Sequence, residues 1–598
     1  MQFPYFYDVS RTREMTSVFG GYNHQLSCAD GQFFDMKNMS SKYFPVLSPR
    51  EKRGFIKTLV NPQGILDKED LWWIDDRKLY KNGTQVWLTG VRLSELSPKT
   101  MAKMGAYLVI FPDKIYYNVD NGKCGYLDNV TDSNSIGATA EFDLCDEQGN
   151  AITYSKAEDY DKANAKDGDY VLSTSGAKPT LKVYSATTGI WTTVATTYIS
   201  ISFLGIGKGF AKDDCVKISV NDNRGLEAVF VNNEAEGIYS TDTYLVDVKD
   251  DVITIPGIYV PYSKAEGEED RSVLARVERK APSMSFITEC NNRLWGCSDD
   301  GREVYCCRLG DVKNWRDYRG TSTGSWSATI GTDGKFTGAI TYEGYPTFFK
   351  EDSILQIAVS GQGAHATRST ECRGLQEGSE RSLAIIDKVI YYKSPWGVCT
   401  FNGGIPSVIS DELGDERYSN AVAGAIDNQY YISMKNSKGI SSLFVYDTKN
   451  GLWAKEDDTE ALLFCKHNEE LYFVDAKDKM LKSARGTLEF SFPEAAKEEE
   501  VSWYVESGNI GYSSPDYKYI ARINIRITLE TGSNADFYVQ YDSNGIWEHK
   551  FNMNGVGTRS FSIPIIPRRC DHFSYKISGK GGCKIHSLTK TVEEGSDD

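Results

Sequence analysis

Residues 385–392 read Ile-Ile-Asp-Lys-Val-Ile-Tyr-Tyr: a short apolar strand, a polar turn, and a second strand that carries aromatic side chains. Similar phrases lie at residues 71–80, 107–117, 291–296, 345–350, 425–431 and 467–473. One aromatic side chain from each copy recurs, in most cases, after 36 to 53 residues. This spacing suits a four-stranded propeller blade of roughly 40 to 50 residues. The repeat therefore predicts an all-β chain built around a β-propeller.

One interval breaks the repeat, because 179 residues separate Tyr116 from Trp295. Subtracting one blade leaves about 140 residues, which we assign to an inserted β domain at residues 120–280. This stretch is rich in Asp, Ala, Thr, Ser and Gly. Apolar and polar residues alternate in 215–220 and 244–248, as they do in half-buried strands.

The other domain boundaries follow from where the phrase begins and ends. We predict an N-terminal arm and propeller entry at 1–53, a first propeller part at 54–119, a second at 281–485, and a C-terminal β-sandwich at 486–598. The sandwich is predicted from alternation of apolar and polar residues, as at 521–527.

Three segments place an aromatic before a polar turn that contains Gly and a Trp after it: 184–191, 446–453 and 541–547. Gly supplies the positive φ that a tight hairpin requires, and the flanking aromatics can then lie beside each other across the strands. These segments favour hairpins over helices.

The charge balance argues against a surface that grips phosphates or an anionic membrane. Lys and Arg number 67 against 83 Asp and Glu, a formal net charge of -16. The 13 Cys are odd in number and spread along the chain, which indicates reduced thiols. A basic segment leading into an apolar core is missing after Met1, and so is an apolar run of about 18 residues. We therefore expect a soluble protein made in a cytosol, with no membrane span.

Chemistry-bearing motifs are sparse. Cys570, His572, Cys583 and His586 form the one suggestive metal group, but the gap in Cys570-Asp571-His572 is too short for usual zinc ligands. The Gly-rich stretch 205–209 lacks the Lys-Ser/Thr ending of a P-loop. We predict no metal, no other cofactor, no catalytic residue and no enzymatic activity. Paired carboxylates on a propeller, which serve glycosidases, stay open as an alternative.

Residues 38–50 read Asn-Met-Ser-Ser-Lys-Tyr-Phe-Pro-Val-Leu-Ser-Pro-Arg, and here the chain resembles a known family. It is similar to the packaged-DNA stabilisation proteins, also called tail hub or nozzle proteins, of podoviruses and related prophages. The similarity covers most of residues 20–480 through turn and packing motifs. Its further segments lie at 291–297, 336–338, 348–351, 446–453, 567–569 and 593–597.

The resemblance implies a propeller with extra β domains that acts as a structural virion protein in the tail. Such a protein, assembled in the host cytoplasm, forms a homo-oligomeric ring, usually of six copies, below the portal and its adaptor. The ring encloses the DNA exit channel, helps to retain packaged DNA, guides its ejection, and docks tail fibres or spikes. Genomic DNA passes without sequence-specific binding. No catalytic residue carries over from this family.

A channel for duplex DNA must not hold it, and an acidic wall repels phosphates over the screening length of about 8 Å. The net charge of -16 fits such a conduit. Glu266, Glu268, Glu269 and Asp270 lie at the acidic exit of the insertion. They are our candidates for a loop at the lumen or at the distal opening.

Two other functions compete with this interpretation. The first is a receptor- or glycan-binding phage tail protein, since propellers and sandwiches bind sugars through exposed aromatics such as Trp326, Trp396 or Trp547. The second is a glycoside-cleaving propeller enzyme.

Overall fold

The computed structural model describes residues 11–157, 160, 164–176, 178–233, 238–262, 272–361, 364–490, 492–511 and 516–594. Regular secondary structure in these residues consists of β-strands and single 3-10 turns. The 3-10 turns include Asn134–Ile136, Glu380–Ser382 and Asp411–Leu413. The predicted all-β class is confirmed.

Seven antiparallel sheets form a β-propeller, and in the first six of them the chain runs strand by strand from the axis outward. Blades 1 to 3 are Pro62–Lys68, Asp70–Asp75, Lys78–Lys81, Thr84–Val86; Thr100–Met104, Tyr107–Phe111, Ile115–Asn118, Cys124–Tyr126; and Phe286–Cys290, Arg293–Cys297, Glu303–Cys306, Trp326–Thr329. Blades 4 to 6 are Gly338–Tyr342, Tyr345–Phe349, Ser353–Ala358, Ala366–Glu371; Ala384–Ile386, Val389–Ser394, Gly397–Phe401, Ser407–Val408; and Tyr418–Ile426, Gln429–Asn436, Ser441–Asp447, Leu452–Asp457.

Blade 7 joins the two ends of the propeller sequence. Its three inner strands are Ala461–His467, Glu470–Asp475 and Met480–Ser483, and its fourth strand is Gly54–Thr58. Ser483 lies opposite Gly54 and Met480 lies opposite Thr58. The short strand Ala496–Lys497 pairs with the other side of Gly54–Thr58. This pairing closes the ring of blades.

The inserted β domain is confirmed between blades 2 and 3. One sheet contains Asn129–Asp132, Ala275–Arg279, Cys215–Val220, Ile238–Tyr244 and Val231–Asn233; a second contains Glu141–Cys145, Tyr198–Ser202, Val252–Pro256 and Asp247–Lys249; a third contains Tyr154–Lys156, Tyr170–Ser173, Thr180–Ser185 and Ile190–Thr193. The first two sheets pack face to face, because alternate side chains such as Ile201, Ile218 and Ile253 are fully buried between them.

The terminal sandwich is also confirmed, but both ends of the chain build it. One sheet contains Gly21–Tyr22, Gln32–Lys37, Ser502–Ser507, Phe573–Lys580, Asn534–Tyr541 and Glu548–Met553; the other contains Arg11–Thr16, Cys583–Glu594, Lys518–Leu529 and Gly557–Ile563. Residues 1–53 were expected to form an arm and a propeller entry. Their described strands instead complete sheets of the sandwich, apart from the small hairpin of Met39–Ser40 with Ser48–Pro49.

The sandwich and blade 6 share one hydrophobic core. Phe33 and Met36 of the sandwich lie in the same buried cluster as Phe444 and Trp453 of blade 6. The two units are therefore packed against each other by apolar burial, which is the main favourable term in such contacts.

A buried ionic cluster joins the segment before the closing strand of blade 7 to blade 6 and to Glu498. The Arg53 guanidinium lies 2.7 Å from the Asp457 carboxylate and 2.6 Å from that of Glu456, and Arg50 makes a two-pronged contact with Glu498 at 2.7 and 3.0 Å. Arg50 and Arg53 are only 7% and 5% exposed. Burial alone would raise the pKa of Asp457, but the adjacent Arg53 outweighs it and the pKa is lowered to about 2.

Arg53→Ala should destabilise the protein by about 3–5 kcal/mol, because it leaves buried carboxylates without their counter-charge. The midpoint of urea denaturation measures this loss. Arg77→Ala is the matched control, since Arg77 and its partner Glu95 have side chains 50% and 82% exposed, and exposed pairs contribute about 0–1 kcal/mol. Equal losses in the two variants would contradict a structural role for the buried cluster.

The Asp457–Arg53 contact should also make the free energy of unfolding depend on pH. Its folded pKa lies below the ordinary value of about 3.9, so the stabilisation is present above about pH 3.9 and is lost as pH falls toward 2. Urea denaturation from pH 6 to pH 2 should show that Asp457→Asn removes a component of about 2 kcal/mol. Asp458→Asn, at a neighbouring side chain that is 61% exposed, should keep it. Parallel pH curves for wild type and Asp457→Asn would refute this assignment.

Candidate functional site

The acidic residues predicted to line a lumen or distal opening are not among the residues that the structure describes. Glu266, Glu268, Glu269 and Asp270 lie outside the described residues. Their proposed place at a lumen or distal opening stays a prediction.

Three of the four side chains of the suggestive metal group engage separate partners. The Cys570 thiol donates to the Lys518 carbonyl, His572 contacts Asp571 at 2.8 Å, and His586 contacts the Thr528 hydroxyl at 2.8 Å. Within the described ranges, no cluster of three or more His, Cys, Asp or Glu side chains is arranged to hold a metal. The structure thus does not bring these four residues together.

The three tryptophans considered for sugar binding differ in their surroundings. The Trp326 ring packs against Trp295 at 5.9 Å and against His365 at 5.4 Å. Trp547 is half-buried with the Lys576 ammonium above its ring. Trp396 is 60% exposed. Of the three, Trp396 offers a free face for a ligand to stack on.

Trp396 lies at a cleft of about 580 Å³ where blades 5 and 6 meet the sandwich. It occupies the turn between the second and third strands of blade 5, and its backbone N–H donates to the Ser394 hydroxyl. The Ser410 hydroxyl accepts from the backbone N–H of Val398, which holds the blade 5 to blade 6 connection against this turn. Gln25 of the sandwich donates its amide to the Asp411 carbonyl and closes one side. Three separate parts of the chain therefore shape the cleft.

The charged side chains that line this cleft are three carboxylates and two cations, Lys393 and Arg417. Asp411, Asp415 and Glu416 are exposed at its edge. Lys393 is 3% exposed, and its ammonium donates to the Gln376 side chain and to the Ser394 carbonyl. Burial lowers the pKa of Lys393 to about 8. An aromatic face ringed by hydrogen-bonding groups suits a ligand with one flat apolar side and several hydroxyls.

The acidic run at 411–416 was visible in the sequence only as charge. The connection between blades 5 and 6 brings this run beside Trp396. Gln25 reaches the same cleft from the sandwich, near the other end of the chain. No local pattern connects these residues.

A second cleft, of about 510 Å³, lies between blades 6 and 7 and the segment that carries the family-like motif at 38–50. Its lining includes Lys42, Arg50, Asp427 and Arg485. Arg485 pairs with Asp427 at 2.6 Å, so opposite charges meet across part of this cleft. The motif therefore contributes to a junction between units.

One histidine is paired as in a catalytic dyad, although sequence analysis did not identify it. His467 Nδ1 lies 2.7 Å from the Asp67 carboxylate, between the innermost strands of blades 7 and 1. The imidazole is almost fully buried. Burial raises the pKa of the nearby Cys465 thiol to about 12, which leaves it protonated. The hydrogen-bond partners of His467 are Asp67 and Asn468, and the contact with Asp67 joins two blades.

Within the part of the chain that the structure describes, no helix is long and apolar enough to cross a membrane.

Comparison with known proteins gives weak structural likenesses. No family model matches the chain, and no curated protein matches it. Solved structures similar to it include Hsv2 of Kluyvelomyces marxianus, at 11% identity and a TM-score of 0.22, over 32% of this chain and 58% of that one. An exo-β-1,3-galactanase from Phanerochaete chrysosporium matches at 9% identity and a TM-score of 0.21, over 50% of this chain and 92% of that one.

A puromycin hydrolase is similar at 11% identity and a TM-score of 0.22, over 70% of this chain and 58% of that chain. This chain thus spans somewhat over half the length of the Hsv2 and puromycin hydrolase structures. Two of these three neighbours are hydrolases by name, but at such TM-scores the likeness bears on neither activity nor substrate. The propeller assignment rests on the sheet order described above.

Proposed function

We propose that this chain is a structural virion protein of a phage tail, the subunit of a nozzle or hub ring. The ring would enclose the DNA exit channel below the portal and its adaptor, help to retain packaged DNA, guide its ejection, and dock fibres or spikes. The proposal rests on the motifs at 38–50 and 291–297 and on one feature of the architecture. That feature is the placement of the two added β domains on the propeller.

The inserted domain is attached to the outer part of blade 3. It contacts the long connection 307–325, which joins the two outermost strands of that blade. The Cys215 backbone N–H donates to the Asn314 side chain at 2.8 Å, and the Arg319 guanidinium lies 4.3 Å from the Tyr244 ring centroid.

The terminal sandwich is attached to the outermost strand of blade 6, where Gln32–Lys37 packs against Leu452–Asp457. Blade 3, which the inserted domain contacts, and blade 6 are three of the seven blades apart, a little under half a turn. The two added domains are therefore attached to blades on nearly opposite sides of the propeller.

A subunit with different domains attached to two sides of its propeller suits a head-to-tail ring, because each copy can present one domain to the other domain of the next copy. The net charge of -16 suits a wall past which DNA slides without being bound. Assembly in the host cytoplasm and function in the virion follow from the same proposal.

The purified full-length chain should form closed rings of six copies around a hole wide enough for duplex DNA. Light scattering coupled to size exclusion gives the copy number, and electron microscopy of single particles shows the hole. A chain that stays monomeric at high concentration, or that forms a fibre-like trimer, would argue against a conduit.

A deletion can test the role of the inserted domain in the ring. Asn129 lies directly opposite Arg279 on paired strands, so residues 129–279 can be replaced by a short Gly-Ser linker without stretching the propeller. We expect a folded chain, with β circular dichroism and cooperative melting, that no longer forms rings. Rings of unchanged copy number would show that the inserted domain is not an assembly surface.

A glycan-binding tail protein is the second candidate, favoured by the exposure of Trp396 in its polar cleft. A sugar ring stacked on this indole would place its hydroxyls near Asp411 and Glu416.

Trp396→Ala should then weaken binding of a cell-envelope oligosaccharide by roughly tenfold, equivalent to about 1.4 kcal/mol. Trp87→Ala is the matched control, because Trp87 is 78% exposed and lies just beyond the outermost strand of blade 1. Titration calorimetry with surface glycans measures both. Glycan affinity that is absent in wild type, or equal in the two variants, would remove this candidate.

A further inference from the structure

Arg381 extends its side chain toward the axis of the propeller. It lies in the 3-10 turn Glu380–Ser382, within the connection from blade 4 to blade 5. Its Nη1 donates to the carbonyl of Leu462 at 2.9 Å, and Leu462 belongs to the innermost strand of blade 7. An innermost strand has one edge without a neighbouring strand, and that edge faces the central channel. The guanidinium therefore lies inside the ring of innermost strands.

Two hydrogen bonds from blade 6 hold the backbone on either side of Arg381. The Ser382 carbonyl accepts from the buried Tyr430 hydroxyl at 2.7 Å. The Ser379 hydroxyl accepts from the Ala421 backbone N–H at 3.1 Å. Both partners belong to blade 6, so the turn is fixed and the direction of the Arg381 side chain is set by the fold.

The charge on Arg381 is not balanced within the described residues. A guanidinium has five N–H donors, and the contact with Leu462 uses one. Arg381 is partly buried, no described carboxylate lies within ion-pair distance of it, and its other N–H groups have no hydrogen-bond partner among the described residues. Burial lowers the pKa of Arg381, and the neighbouring Glu380 opposes this only in part.

Two fully buried cations without a carboxylate partner are satisfied by carbonyl groups. Arg293 donates to the carbonyls of Cys307, Gly324 and Ser322. Lys350 donates to two carbonyls, those of Gly301 and Thr332. Arg381, with a single carbonyl, departs from this rule.

We propose that the channel mouth at Arg381 is a binding site for the oxyanion group of a small ligand, either a carboxylate or a phosphate. The free N–H groups form the planar fork that binds two oxygens of such a group at once. A counter-anion there balances the charge of this partly buried guanidinium, since a charge removed from water is costly unless it is paired. The site lies within one propeller and is present in a monomer and in a ring alike, so the proposal is independent of the conduit function.

The melting temperature of the full-length chain tests this site through its dependence on anions. Sodium acetate and sodium phosphate are titrated against sodium chloride at constant ionic strength. A ligand that binds only the folded state stabilises it in a saturable way. We expect a saturable rise of about 2 °C or more with acetate or phosphate over chloride. The anion with the larger response identifies the oxyanion class.

Variants assign the response to Arg381. Arg381→Gln should abolish the saturable rise, and Arg381→Lys, which keeps the charge but loses the fork, should weaken apparent affinity at least threefold. Lys350→Met, at a buried cation already bound by two carbonyls, should keep the full response. The proposal is overturned if wild type shows no saturable rise with either anion. It is equally overturned if the rise persists in Arg381→Gln or, should that variant not fold, is unchanged in Arg381→Lys.

Discussion

Closure of the propeller by Gly54–Thr58 is the constraint on which the rest of the structure depends. This strand completes blade 7 by pairing with Met480–Ser483, more than 420 residues away. Forming such a contact costs chain entropy that grows slowly with loop length, so the junction needs strong local support. Arg50 and Arg53 supply it immediately before the strand. Gly54 is needed there too, because a Cβ at that position would lie 2.3 Å from the Ser483 hydroxyl.

The repeated phrase predicted the blades well, because it encodes a hairpin. Asp387 and Lys388 have φ of 46° and 63°, as a tight two-residue hairpin turn requires. In blade 5 this turn joins the first and second strands, whereas in blade 1 the equivalent turn at Asp76 and Arg77 joins the second and third. Sequence spacing therefore located the blades without fixing which strand of each blade the phrase marks. The inserted domain was found for the same reason, since it interrupts a regular interval.

Features made by distant residues were beyond sequence reasoning. Arg11–Thr16 pairs with Cys583–Glu594, and His467 pairs with Asp67, yet no local pattern connects either pair. Of the Trp396 cleft, the sequence predicted the exposed tryptophan but not the residues that surround it. Even the aromatic pairs predicted for the hairpins depend on the register of the strands. The aromatics of 184–191 and 446–453 face each other across their hairpins with ring centroids 5.2 and 4.9 Å apart, whereas in the shorter loop 541–547 Tyr541 lies opposite Phe573 of another strand.

The propeller axis and the channel of the proposed ring are separate spaces. The axis of the propeller is bordered by seven innermost strands, and the Arg381 side chain reaches across part of it, from the connection before blade 5 to the innermost strand of blade 7. If copies of this chain form a ring, the channel that the ring encloses lies between subunits. The acidic excess then acts from outer surfaces of the propeller and its two added domains, while the axis of each subunit stays available for a small anion.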